Sequence, residues 1–155
     1  MANRKQVERN VLYNYLSELE AYQANSDYDR GPDPSALKHL DTLVNRIKTD
    51  YKVTTESLLP LLEKGEITYD LLWALFKPNT LVYTACFGTG KPRCIIFDYG
   101  EEKTTKHNSK YYHMSCRYLD FNGNVFGEAP TEVGIPKFRG RKRINTLDAF
   151  PLRYH

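Results

Sequence analysis

Lys137-Phe138-Arg139-Gly140-Arg141-Lys142-Arg143 places five cations and one aromatic ring in seven consecutive residues. Positive charge at that density suits a phosphate backbone or an acidic protein surface. The three arginines add forked guanidinium donors that fit phosphate and carboxylate. The run also has the composition of a short nuclear-import signal, and a solvated loop that maintains solubility is the plain alternative. Lys137, Arg139, Arg141, Lys142 and Arg143 are therefore the candidate binding residues.

Other chemistry is weaker. Phe87-Gly88-Thr89-Gly90-Lys91 suggests a phosphate loop, but Ala85 stands where the Walker A pattern needs its first glycine, and Pro92 follows Lys91. A strand follows too, so no helix N-terminus is available to hold a phosphate; the segment reads as a hairpin turn. Cys86, Cys94, Cys116, His107 and His113 could in principle ligate zinc. His113 and Cys116, however, are three apart on an expected strand and so point to opposite faces, and no Cys-x-x-Cys is present. The cysteines read as small core residues, and no metal is expected. No signature surrounds a Cys–His pair. Paired carboxylates would have to come from Asp98, Glu101, Glu102 or Asp120, most of them in or beside an expected solvated loop, so no catalytic residue is assigned. Of the 20 aromatic residues, Trp73 and Phe76 are expected to seal a helix–sheet junction, with an aromatic groove for a peptide as the alternative.

The elements that position these residues divide the chain. Val7, Val11, Leu12, Tyr15, Leu16, Leu19 and Tyr22 recur at helical period. A turn-rich linker, Asn25 to Pro34, follows. Asp33-Pro34 is a good helix start, and Leu37, Leu40, Leu43, Val44, Ile47 and Tyr51 make the strongest helical stripe. A third helix is expected from Thr54 or Thr55, kinked or delayed by Pro60 and closed by Lys64-Gly65. A short fourth runs from a Thr68 cap to Phe76. Beyond Pro78 the period becomes two. Strands are expected at Leu81–Cys86 and Arg93–Tyr99, a polar loop at Gly100–Ser109, and a long strand from Lys110 with Tyr112, Met114, Cys116 and Tyr118 on one face. Asn122-Gly123 signals a type I′ hairpin, and short strands follow at Thr131–Val133 and near Phe150–Leu152. The fold class is α+β, a helical N-terminal half packed on an antiparallel β meander or small barrel.

At 155 residues the chain is about one domain. Expected divisions are an N-terminal helix and linker over 1–32, helices over 33–76 and an antiparallel β part over 77–155. Its 41% hydrophobic and 26% charged residues exclude the signature of disorder. No apolar run approaches a membrane helix, and no secretory signal follows Met1-Ala2-Asn3-Arg4-Lys5. Three cysteines argue against a closed disulfide framework. An intracellular place, cytoplasm or nucleus, is expected. The net charge of +3 conceals a split: residues 1–75 carry 9 Lys/Arg against 12 Asp/Glu, and residues 76–155 carry 13 against 7. The basic half is the half with the candidate patch.

Several long stretches carry a resemblance. They are Gly65-Glu66-Ile67-Thr68-Tyr69-Asp70-Leu71-Leu72-Trp73-Ala74-Leu75-Phe76-Lys77-Pro78 with Leu81-Val82-Tyr83-Thr84; Cys116-Arg117-Tyr118-Leu119-Asp120-Phe121-Asn122-Gly123 with Phe126-Gly127; Ile135 to Gly140; and Ile144 to His155. In that order they are similar to the domain of unknown function that precedes the AAA core in many fungal AAA-type ATPases, most densely from about Asp33 to His155. The resemblance implies that ATP hydrolysis belongs to a downstream module whose Walker A, Walker B and arginine finger have no counterpart here. ATP and Mg²⁺ are then expected only with that core, and the chain reads as an excised domain. The expected function is non-catalytic recognition of a protein substrate or adaptor, beside the domain's own AAA core. The alternative is a basic β module binding nucleic acid or an acidic protein. A small enzyme with an unfamiliar site is the third reading. No membrane partner is expected.

Overall fold

A computed structural model describes residues 10–25 and 34–155. Residues 10–14 are helical, and α1, Leu16–Ala24, follows after a single turn residue, Tyr15. Val7, the Asp33 cap and most of the expected linker lie outside the described residues. Helix α2 spans Pro34–Asp50 and buries Val44 and Ile47. Proline opens it because its missing N–H falls where no intrahelical acceptor exists.

Helix α3, Lys52–Glu63, starts earlier than Thr54. Thr55 is internal to it: its hydroxyl donates back to the Tyr51 carbonyl at 3.0 Å and so does not cap. Pro60 is accommodated within α3 on its exposed side, where water can serve the carbonyl left without a donor. Gly65 at φ +65° then ends the helix, with its N–H donating to Leu62 O at 3.0 Å.

Strand β1, Glu66–Thr68, precedes a 3-10 helix over Tyr69–Ala74. Thr68 is extended (φ −103°, ψ 157°) and makes no side-chain cap, and the expected short α-helix is a 3-10 helix over Tyr69–Ala74. Strands β2 (Leu81–Ala85), β3 (Pro92–Thr104), β4 (Lys110–Phe121), β5 (Phe126–Pro136), β6 (Arg141–Arg143) and β7 (Ala149–Pro151) follow. All pairings are antiparallel. The five-stranded sheet has the order β5-β4-β3-β2-β7, and β1 pairs with β6 in a separate two-stranded sheet. The fold is α+β. The meander is present, but its two outer strands do not meet, so the sheet is open and the small barrel is not formed.

Three boundaries differ from the sequence reading. Strand β3 runs through Gly100 to Thr104, because Glu101, Glu102 and Lys103 find partners in His113, Tyr112 and Tyr111 of the long β4. Strand β5 is continuous through Thr131–Val133. The β4–β5 hairpin closes at the pair Phe121–Phe126. Of its loop residues only Gly123 has a positive φ, at +100°, so the turn is not type I′. The Asn122 carboxamide oxygen instead accepts the Asn124 and Val125 N–H groups, each at 3.0 Å.

One buried cluster joins helices to sheet. Leu58 of α3, Ile67 of β1, Leu72 and Phe76 pack against Val82, Ile95, Phe97, Met114, Cys116 and Ile135, with Ile144, Leu147 and Phe150 closing it. Full burial of a large apolar side chain stabilises by roughly 1.5–3 kcal/mol. Among the described residues no helix is long and apolar enough to cross a membrane.

Candidate functional site

The β3–β4 ladder slips between Phe97 and Tyr99, leaving Asp98 without a cross-strand partner. Such a bulge bends a strand and re-aims one side chain. Arg117 of β4 fixes it: the guanidinium forms an ion pair with Asp98, donates to Asn79 Oδ1 at 2.9 Å and stands 3.2 Å from Glu128. Asn79 takes a left-handed φ of 65° and its N–H donates to the Phe97 carbonyl at 2.8 Å. The connection before β2 is thereby tied to the bulge.

A cavity of about 250 Å³ opens between residues 10–14, the 3-10 helix and the bulged half of β3. Its helical wall is pinned by Asn14, whose amide donates to the Trp73 and Phe76 carbonyls at 3.2 and 3.0 Å. Behind that wall Tyr13 stacks on Tyr51 at 4.8 Å and meets the Trp73 edge at 5.5 Å. Phe76 joins helix to sheet, with ring centroids 5.4 Å from Phe97 and 6.0 Å from Tyr112. Trp73 and Phe76 thus stand at the helix–sheet junction, and both also line the cavity.

Among the described residues, the polar lining comes from Asn10, Asn14, Tyr69, Asp70, Asp98, Glu101 and Glu102. Tyr69 is 7% exposed, and its hydroxyl is buried beside the Glu102 carboxylate. Burial, then the Glu102 carboxylate and Asp70, push its ionisation well above the ordinary tyrosine range. Glu102 is held below the usual carboxylate range, first by a hydrogen bond from Lys110 Nζ (2.7 Å), with burial opposing and the Lys110 and Lys137 charges assisting. Tyr112 is buried against Gly100, and burial raises its phenol.

None of the five candidate cations lines this cavity. Arg141, Lys142 and Arg143 form β6 and are all exposed. Arg141 lies 3.9 Å from Glu66, across the β1–β6 pair. Lys137 Nζ stands 5.2 Å from the Tyr69 ring centroid, and Lys142 Nζ stands 4.9 Å from that of Phe138. Phe138 meets Tyr69 edge-on at 5.8 Å. Tyr69 therefore touches both the basic segment and the cavity. Arg139 is exposed beside Gly140, which turns the chain into β6 at φ +71°.

The cysteines divide by environment. Cys116 is buried in the core, and burial pushes its thiol up to about 11. Cys86 follows β2 at the start of the hairpin turn. The Thr89 hydroxyl, the Thr89 and Gly88 backbone N–H groups and, less, the Arg93 charge bring it down to about 7. Cys94 is exposed. His113 is 6% exposed, sits 3.3 Å from Glu132 and leaves Nδ1 without a partner. Among the described residues no three of His, Cys, Asp and Glu come together to hold a metal ion.

Sequence reasoning did not assemble the cavity. Asp98, Glu101 and Glu102 read as loop charges because the bulge and the length of β3 are invisible in one sequence. The available signal was the presence of Tyr69, Asp70 and Trp73 within five residues of one short helix, all three of which line the cavity.

Fold and cavity define an α+β domain whose helices and open sheet enclose an acidic, aromatic pocket. The chain belongs to the family described as Domain of unknown function (DUF7025), matched over residues 57–155. That match includes all five basic residues and the sheet side of the cavity, and excludes the wall at residues 10–14. Comparison with curated proteins and with solved structures returns no significant match.

Proposed function

We propose that this chain is a non-catalytic recognition domain of a AAA-type ATPase, which captures a protein substrate or adaptor and sits beside its own AAA core. ATP and Mg²⁺ belong to that core in this reading, and the place of action is the cytoplasm or nucleus. The observation that carries the recognition role is the exposed basic strand. Among the described residues only Arg141 of the five cations reaches a carboxylate within 4.0 Å. Positive charge that the fold leaves uncompensated is available to an acidic partner surface, where it raises encounter rate and specificity. The association with a AAA core rests on the motif resemblance from Gly65 to His155.

Two measurements test this. The reading frame beyond His155 should encode a Walker A motif within a few hundred residues; its absence removes the AAA parentage. Reversing Arg139, Arg141, Lys142 and Arg143 to glutamate should abolish partner capture by the full-length protein, and unchanged capture removes the assigned face. The nucleic-acid alternative uses the same cations. Fluorescence anisotropy with single- and double-stranded oligonucleotides should then show affinity falling linearly in log–log plots against salt.

A further inference from the structure

We infer that β6 is a docking edge for an extended acidic segment of a partner protein, which adds to it as an antiparallel strand with carboxylates at alternate positions. This mode of docking rests on the recognition role proposed for the basic face and specifies what that face reads.

The main chain of β6 is oriented for it. The Ile144 N–H donates to the Gly65 carbonyl at 2.8 Å, which continues the β1–β6 register of Glu66–Arg143, Ile67–Lys142 and Thr68–Arg141. Hydrogen-bonded and non-hydrogen-bonded pairs alternate along an antiparallel ladder. Lys142 therefore turns its N–H and C=O toward β1, and Arg141 and Arg143 turn theirs away. All three residues are exposed, and among the described residues β6 pairs with β1 alone. The Arg143 carbonyl accepts the Thr146 hydroxyl at 2.8 Å. The Arg141 N–H, the Arg141 carbonyl and the Arg143 N–H remain as a template for another strand.

The β5 edge of the large sheet is built differently. The Lys137 N–H donates to the Lys110 carbonyl at 3.0 Å, so the same alternation turns the even-numbered positions of β5 outward. Pro130 and Pro136 occupy two of them and have no N–H to offer. Glu128 and Glu132 occupy two more and disfavour an acidic strand. Strand β6 has no proline and carries only cations.

The side chains agree with this geometry. A strand added antiparallel to β6 bonds Arg141 and Arg143 through two alternate residues, and those same residues place their side chains on the arginine face. Carboxylates there would meet guanidinium forks that fit them. Glu66, at 3.9 Å from Arg141, already makes one such contact. Among the described residues Arg143 has no carboxylate within 4.0 Å. Lys142 lies on the opposite face, with its Nζ 4.9 Å from the Phe138 ring centroid, which suits an apolar residue between the two carboxylates.

The test is fluorescence anisotropy of the 155-residue protein with a labelled, end-blocked peptide centred on Glu-Val-Glu. It should bind, and an isomer of equal charge with the two glutamates adjacent should bind at least about threefold more weakly, one cross-strand ion pair being lost. N-methylation of the second glutamate, which lies opposite Arg141, removes a main-chain hydrogen bond and should weaken binding at least about fivefold. N-methylation of the valine, whose N–H points away from β6, should leave it unchanged. Arg141→Gln and Arg143→Gln, both at exposed positions, should each weaken binding about tenfold, as expected when a charge-assisted contact is lost. Equal binding of the two isomers, or equal effects at the two N-methylation sites, overturns strand addition while leaving the basic face as a partner surface. No binding by either acidic peptide overturns both. Displacement of the bound peptide by a single-stranded oligonucleotide at lower concentration than by unlabelled peptide overturns the proposal in favour of nucleic acid.

Discussion

Tyr112 of β4 occupies the space beside the backbone of Gly100 in β3, so closely that a Cβ at position 100 would lie 2.6 Å from Tyr112 Cζ. Both residues line the cavity, and their contact sets one of its walls. Gly100 has no left-handed backbone requirement; the constraint is room for a ring. Gly100→Ala should therefore force the buried Tyr112 ring to move and destabilise the fold by about 1–3 kcal/mol, as overpacking does. Urea unfolding would measure it. A Gly100→Ala, Tyr112→Phe double variant should recover part of the loss, because removing the hydroxyl relieves the nearest contact.

Helix α3 presents consecutive leucines to opposite environments. Leu58 is 4% exposed and Leu59 is 54% exposed. Leu58→Ala is expected to cost about 2–5 kcal/mol through lost burial and a residual cavity. Leu59→Ala should stay within about 0.5 kcal/mol. Equal effects in denaturant titrations would mean that α3 does not pack on the core by this face.

The thiols should separate by pH. Cys86 falls from an ordinary 9.0 to about 7 because its thiolate accepts hydrogen bonds from Thr89 and Gly88. A lowered value means the reactive thiolate gains as pH rises and disappears as pH falls through about 7. In a Cys94→Ser background, labelling by a disulfide reagent should rise between about pH 6 and pH 8 and then level off. Cys116, raised to about 11 by burial, should stay unlabelled until the protein unfolds. Thr89→Ala removes the largest contribution and should move the Cys86 profile to higher pH.

Much of the frame is legible in the residues themselves. Val44, Ile47 and Tyr51 keep helical period and are buried, and Tyr112, Met114 and Cys116 keep period two and face the core. Lys64-Gly65 and Asn122-Gly123 mark real chain reversals, although the second is built by the Asn122 carboxamide and not by a two-residue turn. What could not be read depends on partners distant in sequence. Three residues such as Arg141–Arg143 are too few to show alternation, so their pairing with Glu66–Thr68 leaves no local trace. The polar Glu101-Glu102-Lys103 reads as loop until β4 supplies twelve residues to pair against. The cavity is harder still, because its walls come from the N-terminal helix, the 3-10 helix and two strands, each with an ordinary local explanation.

Strand β7 has a consequence for how the chain comes to be folded. It covers the outer edge of β2 by pairing Val82 with Pro151 and Tyr83 with Phe150, and Tyr83 stacks on Phe150 at 4.9 Å. Synthesis runs from the N-terminus, so Leu81-Val82-Tyr83 leaves the ribosome long before its covering strand exists. Meanwhile the β3–β4–β5 meander, whose contacts are closer in sequence, can form first. For that interval β2 offers an open, apolar edge of the kind that recruits other chains. Strand β7 thus acts as a closing seal on β2, and that edge is protected only once β7 has been made.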